Sequence, residues 1–215
     1  WACEPWFQKD MEITADYAKK QAESTNKAVY IIGRTAGEDK DNANWVGSYL
    51  LTDEEKENLK NITEAFEDVC VVLNVSNIID LKWIDEEQFK GHIKSVIIVW
   101  QGGMEGGLAT ADILCGDVNP SGKLSDTYAK DLEDYPSTAN FHESAFYVDF
   151  TEDIYVGYRY FETIPGAAKR VNYPFGFGLS YTDFDWKMTG ASEENGVITV
   201  LTEVTNTGKK AGKEV

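Results

Sequence analysis

The stretch AVYIIGRTAGEDKDNANWVGSYLLTDEEKENL, residues 28–59, decides the fold. It opens on an apolar run, Ala28 to Ile32, that reads as a buried strand. It closes on a segment with complete helix-start signals: Thr52 as N-cap, Glu55 three residues on to complete a capping box, and Asp53 and Glu54 at the positive end of the helix dipole. Leu59, Ile62 and Phe66 then fall on one helical face. A strand feeding an amphipathic helix is one step of an α/β fold. Eighteen polar, glycine-dotted residues, 34–51, separate the two. Such connections usually take about two to six residues. The loop also carries Glu38, Asp39 and Asp41 near its start, so its length poses the functional question.

The same pattern extends in both directions. Residues 11–25, MEITADYAKKQAEST, predict a helix with a narrow apolar stripe that feeds the first strand after a turn at Asn26. Cys70 to Val75 (CVVLNV) and Ser95 to Trp100 (SVIIVW) are continuous apolar runs without alternation, the mark of strands covered on both faces in a parallel sheet. QGGMEGG (101–107) leads into a short helix, LATADIL, closed by Gly116, then the turn NPSG and an edge strand in KLSDTY (123–128). An irregular aromatic region runs to about Thr182. From Phe184 the pattern alternates, in DFDWKM and VITVLTEV, around the turn SEENG. The expected fold is α/β: a three-layer αβα sandwich with a mostly parallel sheet, followed by a truncated β-sandwich segment.

The chain has 215 residues and a net charge of −17, with no cluster of lysine and arginine, which excludes a nucleic-acid-binding role. No apolar run approaches the roughly twenty residues needed to span a bilayer, so no membrane role is expected. Cys3, Cys70 and Cys115 form an odd, widely spaced set. Cys70 and Cys115 lie in apolar runs and read as buried free thiols, pointing to a reducing compartment such as the cytoplasm. Both ends read as cuts within a larger protein: no starting methionine or leader precedes Trp1, and the last strand leads into a turn that goes nowhere.

In open α/β sheets, ligands bind beyond the carboxyl ends of the strands. The 34–51 loop leaves its strand at that end, with Arg34 and Glu38 close to the exit and Gly37 permitting a sharp turn. Position alone leaves two readings for Glu38, a solvated or capping acid and a catalytic one. QGGMEGG lacks the Lys-Ser/Thr ending of a phosphate loop and the spacing of a dinucleotide fingerprint; a tight turn bringing helix to sheet, with Glu105 near the helix start, is the better reading. His92 and His142 stand far apart without ligand-spaced partners, so no metal or cofactor is expected. Trp1, Trp6, Trp45 and the segment VDFTEDIYVGYRYFET can stack on sugars or fill a core; composition does not separate these.

Taken in order, GRTAGEDKD, SYLLTDEEKENL, QGGMEGGLATADILCGDVNPSGKL, YVGYRYFE and NYPFGFGLSYTDF resemble the second domain of glycoside hydrolase family 3. The resemblance divides the chain into an α/β sandwich domain, residues 1–183, whose first strands are missing, and the start of a fibronectin-III-like domain, residues 184–215. It implies a composite active site: a (β/α)8 barrel of the same parent enzyme supplies an aspartate nucleophile, and this domain supplies a glutamate acid/base from a loop. The family's Gly-Glu-Gly-x-Asp-Arg context falls on Gly37 to Asn42, which places Glu38 in the catalytic position and makes Arg34 and Asp41 loop-orienting candidates. Two positions depart: Asp39 replaces a glycine and Asn42 an arginine. An added negative charge beside Glu38 favours its protonated form, as a general acid requires. The implied activity is that of a retaining β-glucosidase acting on β-linked glucose, with the fragment inactive without its barrel. The alternatives are a non-catalytic carbohydrate-binding or scaffolding domain with a vestigial site and, on QGGMEGG, a nucleotide-binding domain.

Overall fold

A computed structural model describes residues 11–34, 41–141 and 143–215. Three strands, β1 (Lys27–Gly33), β2 (Asp68–Asn74) and β3 (Ile93–Ile98), form a parallel sheet in that order. Helix α1 (Ala15–Ala22) precedes β1, α2 (Asp53–Ala65) joins β1 to β2, and α3 (Gly106–Cys115) follows β3. A two-residue strand β4 (Tyr128–Ala129) pairs antiparallel with β5 (Val171–Tyr173), with α4 (Tyr158–Thr163) between them in sequence. The chain ends in an antiparallel hairpin, β6 (Phe184–Glu194) and β7 (Val197–Asn206). The architecture is the expected α/β sandwich with small antiparallel additions.

The main core lies between the sheet and α1/α2. Tyr30 and Ile32 of β1 and Val69, Val71 and Leu73 of β2 pack against Ala18, Leu59, Ile62 and Phe66. Each fully buried aliphatic side chain contributes on the order of 1.5–3 kcal/mol. The α2 start is as the sequence predicts: Thr52 Oγ1 accepts from Glu55 N at 3.0 Å, and Glu55 Oε2 accepts from Thr52 N at 2.8 Å. Past β2 the chain folds under the sheet through Ile79, Leu81 and Trp83, all buried in the same core.

Three local expectations change. The first helix begins at Ala15 rather than near residue 11, because α2 competes for the preceding backbone. Asn58 accepts from Ile13 N at 2.7 Å and donates to Met11 O at 3.0 Å, while Asn61 donates to Ile13 O at 2.9 Å. Residues 11–13 are thereby held as a strap along α2, and Thr14 caps the helix. The edge strand in KLSDTY shrinks to Tyr128–Ala129, since the Asp126 carboxylate accepts from Thr127 N at 2.7 Å and turns the chain there. Burial on both faces is partial on β2, where Val69, Val71 and Leu73 are buried on one face but only Val72 on the other, and fails on β3, which is half-buried or exposed along its length. Correspondingly, α3 buries none of its residues, and Cys115 is exposed and Cys70 half-buried rather than sealed in the core. On β1, Val29 and Ile31 also face outward. Cys3, Trp1 and Trp6 lie outside the described residues. Among the described residues no helix is long and apolar enough to cross a membrane.

The motifs NPSGKL and FGFGLSYT meet each other. Leu124 N donates to Phe177 O at 2.8 Å, and Gly176 N to Leu124 O at 2.7 Å. A Cβ on Gly178 would stand 2.2 Å from Gly122 O, so only glycine fits. Asn119 then ties this junction to the segments that flank the hairpin, accepting from Tyr181 N at 3.0 Å and donating to Ala211 O at 3.1 Å. The hairpin itself turns at Asn195 and Gly196, both at positive φ, as a two-residue connection between twisted strands requires. In the aromatic segment, Phe161 is buried against Tyr135 and Tyr160, so that side chain serves a core, whereas Phe146 and Phe150 are exposed.

Candidate active site

The carboxyl ends of β1, β2 and β3 lie side by side, and the long loop leaves from the first. Glu38, with Gly37, Asp39 and Lys40, lies outside the described residues; the loop's neck and its returning limb lie within them. Arg34 takes up the exit of β1, where its backbone N–H donates to Asn74 O, at the end of β2, at 3.1 Å. Its guanidinium, nearly buried, spans the neck. Nε donates to Ser48 O at 3.2 Å, Nη1 to Gly33 O at 2.9 Å and to Glu55 Oε1, and Nη2 to Glu55 Oε2 at 2.7 Å and to Leu50 O at 3.4 Å. Arg34 therefore joins the strand, the last turn of the loop and the first turn of α2.

The returning limb has a second point of attachment. Asn42 Nδ2 donates to Ile78 O, in the loop after β2, at 2.7 Å, and its Oδ1 accepts from Ser48 Oγ at 3.1 Å. Ser48 Oγ accepts in turn from Ala43 N at 3.1 Å. Beneath it, Tyr49 and Leu51 are buried, and Asp80 N donates to Tyr49 O at 2.8 Å. Asp41 is exposed at the start of this limb, and Trp45 and Val46 are exposed at its tip. Of the sequence-derived candidates, Arg34 thus binds the loop's two ends together, while Asp41 stands at the start of the described limb.

Acidic groups gather under the limb. Burial pushes the Tyr49 phenol well above its ordinary value, reinforced by Asp80. Burial also raises Asp80, aided by Asp131 and Glu86, and only partly offset by the Lys82 backbone N–H and ammonium. The sign follows from that direction. With a folded-state pKa above the ordinary 3.8, Asp80 destabilises the fold when ionised, and this penalty vanishes as pH falls through its raised pKa to the ordinary value. Asp80→Asn is therefore expected to raise the melting temperature at neutral pH, with the gain shrinking on acidification; melts of both proteins across that range check it.

At the end of β3, Trp100 adopts φ of 50° and leans on Tyr128, ring centroids 6.3 Å apart. The glycine loop beyond it turns tightly: Gly103 has φ of 68°, and a Cβ on Gly102 would meet Gly106 Cα at 2.6 Å. Close approach of helix to turn accounts for these glycines, as the sequence suggests. No group of three or more His, Cys, Asp or Glu side chains among the described residues could hold a metal ion, and His142 lies outside those residues.

Sequence reasoning did not find the second role of Glu55, whose carboxylate is a capping-box acid and the partner of Arg34 at once. A buried acid at N3 of a helix, with an arginine at the exit of the preceding strand, is the signal that could have shown it.

The structural class is a parallel α/β sandwich whose first strand releases a long, doubly anchored loop at the carboxyl end of the sheet, and comparison with known proteins specifies the family. Residues 8–181 match the glycosyl hydrolase family 3 C-terminal domain; the chain belongs to that family. It is 48% identical over its whole length to a β-glucosidase of Ruminococcus albus, covering 22% of that protein. With β-glucosidase A of Butyrivibrio fibrisolvens it shares 54% identity over 184 residues, 79% of this chain and 22% of the relative. Among solved structures, a β-glucosidase from Paenibacillus barengoltzii superposes with a TM-score of 0.89 at 52% identity, covering 97% of this chain and 23% of the other. β-Glucosidase 3B from Thermotoga neapolitana superposes with a TM-score of 0.84 at 32% identity over 98% of this chain and 30% of its own. The chain thus spans between a fifth and a third of the length of these relatives.

Proposed function

We propose that this chain is the acid/base-supplying domain of a retaining β-glucosidase that hydrolyses terminal β-linked glucose. The observation that carries this reading is the anchored loop at the carboxyl end of the sheet, in a family member whose relatives are β-glucosidases. Glu38, between the two anchored points, is the acid/base. Arg34 and Asp41 orient the loop around it. The nucleophile comes from a (β/α)8 barrel of the same parent; the described residues hold no eightfold βα repeat. Residues 1–183 form the sandwich domain, and 184–215 begin a fibronectin-III-like domain. The outward apolar side chains of β1 and α3, among them Val29, Ile31 and Leu108, suit burial against further chain.

In a retaining glycosidase the two carboxyl groups stand about 5–5.5 Å apart. One attacks the anomeric carbon while the other protonates the departing oxygen, and the second then draws a proton from the incoming water. A domain holding half of that pair has no independent turnover. The 215-residue chain is therefore expected to leave an aryl β-glucoside intact, while the full-length polypeptide hydrolyses it. Matched activity assays on the two proteins provide the check, and full activity in the isolated chain contradicts the reading.

A further inference from the structure

We propose that Glu55, acting through Arg34, is a positioning residue for the acid/base carboxyl, an inference that rests on the reading of Glu38 given above. A capping-box glutamate ordinarily satisfies one backbone donor and keeps its other oxygen in water. Glu55 is 1% exposed, and both of its oxygens are engaged, one by Arg34 and the other by Arg34 and Thr52 N. The cap alone has no need of a buried cation. Nor is stability the evident gain, because desolvating two charges offsets most of their attraction.

The pair does fix geometry. A guanidinium has five N–H donors in a rigid fork, and Arg34 uses five, on Gly33 O, Ser48 O, Leu50 O and the two oxygens of Glu55. One acceptor belongs to the outgoing strand and the other four to the returning loop and α2. Closing the neck this way sets the separation and angle at which the loop leaves and re-enters the fold. Asn42 sets a second point, bridging Ile78 O and Ser48. Residues 35–40, which contain Glu38, connect these two fixed points. Glu55 orients the fork; without its charge the guanidinium has no bidentate partner and the neck can open. Displacement of a catalytic group by about 1 Å is enough to cost on the order of 100-fold.

The test uses the full-length enzyme and two substrates, a β-linked glucose disaccharide, whose leaving group needs a proton, and 2,4-dinitrophenyl β-glucoside, whose leaving group does not. Glu55→Gln keeps the shape and an acceptor for the cap but loses the charge; Arg34→Lys keeps the charge but loses the fork. Each is expected to lower kcat/KM on the disaccharide by about 10- to 100-fold and on the activated glucoside by less than about threefold. Thr52→Ala, which removes the hydroxyl cap and leaves the pair in place, is expected to lower the melting temperature without separating the two substrates. Should Glu55→Gln fail to fold, Arg34→Lys and Asn42→Ala give the same readout. Equal losses on both substrates, or none, in folded variants overturn the positioning role while Glu38→Ala still separates the substrates. If Glu38→Ala does not separate them, the acid/base reading itself fails, and this inference with it.

Discussion

Glu38→Ala in the full-length enzyme is expected to lower kcat/KM on a β-linked glucose disaccharide by about 10²–10⁴-fold, the usual worth of a positioned general acid. The activated dinitrophenyl glucoside should show little change in the same parameter, because its leaving group departs as a stable anion. Its kcat should nevertheless fall, since hydrolysis of the glycosyl-enzyme requires the same residue as a base. This split distinguishes an acid/base from a residue that merely binds the sugar, whose loss would raise KM for both substrates. It also separates the enzyme reading from a scaffolding domain with a vestigial site, in which Glu38→Ala changes neither substrate. Asp39 adds a secondary expectation. On the proposed reading, an acid next to Glu38 in sequence would favour the protonated form of Glu38, so Asp39→Gly should move the alkaline limb of the pH profile to lower pH.

The largest structural effect is expected at Trp83. Its ring is 1% exposed, lies edge-on to Phe89 with centroids 6.4 Å apart, and donates through Nε1 to Asp80 O at 2.7 Å. Truncation to alanine removes a large buried ring from a close-packed core, a change that typically costs about 3–5 kcal/mol. In a domain of this size the melting temperature should fall by of order 10 °C, which calorimetry resolves. The effect should reach the site as well. Trp83 holds the segment after β2 that supplies Ile78 O to Asn42 and Asp80 N to Tyr49 O. Disaccharide hydrolysis in Trp83→Ala is therefore expected to decline below the melting transition, not only through it.

Features with local causes were legible in the sequence. The α2 capping box follows from Thr52 and Glu55 alone, and the parallel sheet from three apolar runs without alternation. Gly116 ends α3 in the left-handed conformation, and Asn195-Gly196 turns the last hairpin, as their residue types demand. What escaped has its cause far along the chain. The true start of α1 depends on Asn58 and Asn61, more than 40 residues away. The partnership of Arg34 with Glu55 crosses 21 positions, and that of Asn119 with Ala211 crosses 92. An apolar run also reports how apolar a segment is, not what covers it. Cys115 and Leu108 sit in such a run, yet both are exposed on α3. For the candidate site, the unusual loop length and its acids singled out the loop as a proposal, whereas the buried neck that anchors it required the fold.

Adding azide to the full-length Glu38→Ala enzyme while it turns over an activated aryl β-glucoside tests the proposed acid/base role of Glu38. With no carboxylate to draw a proton from water, the glycosyl-enzyme should accumulate, and azide, which needs no base, should attack it. Restored turnover and a β-glucosyl azide product are expected. A variant that hydrolyses the disaccharide as fast as the wild type, with glucose as its sole product in the presence of azide, contradicts that role.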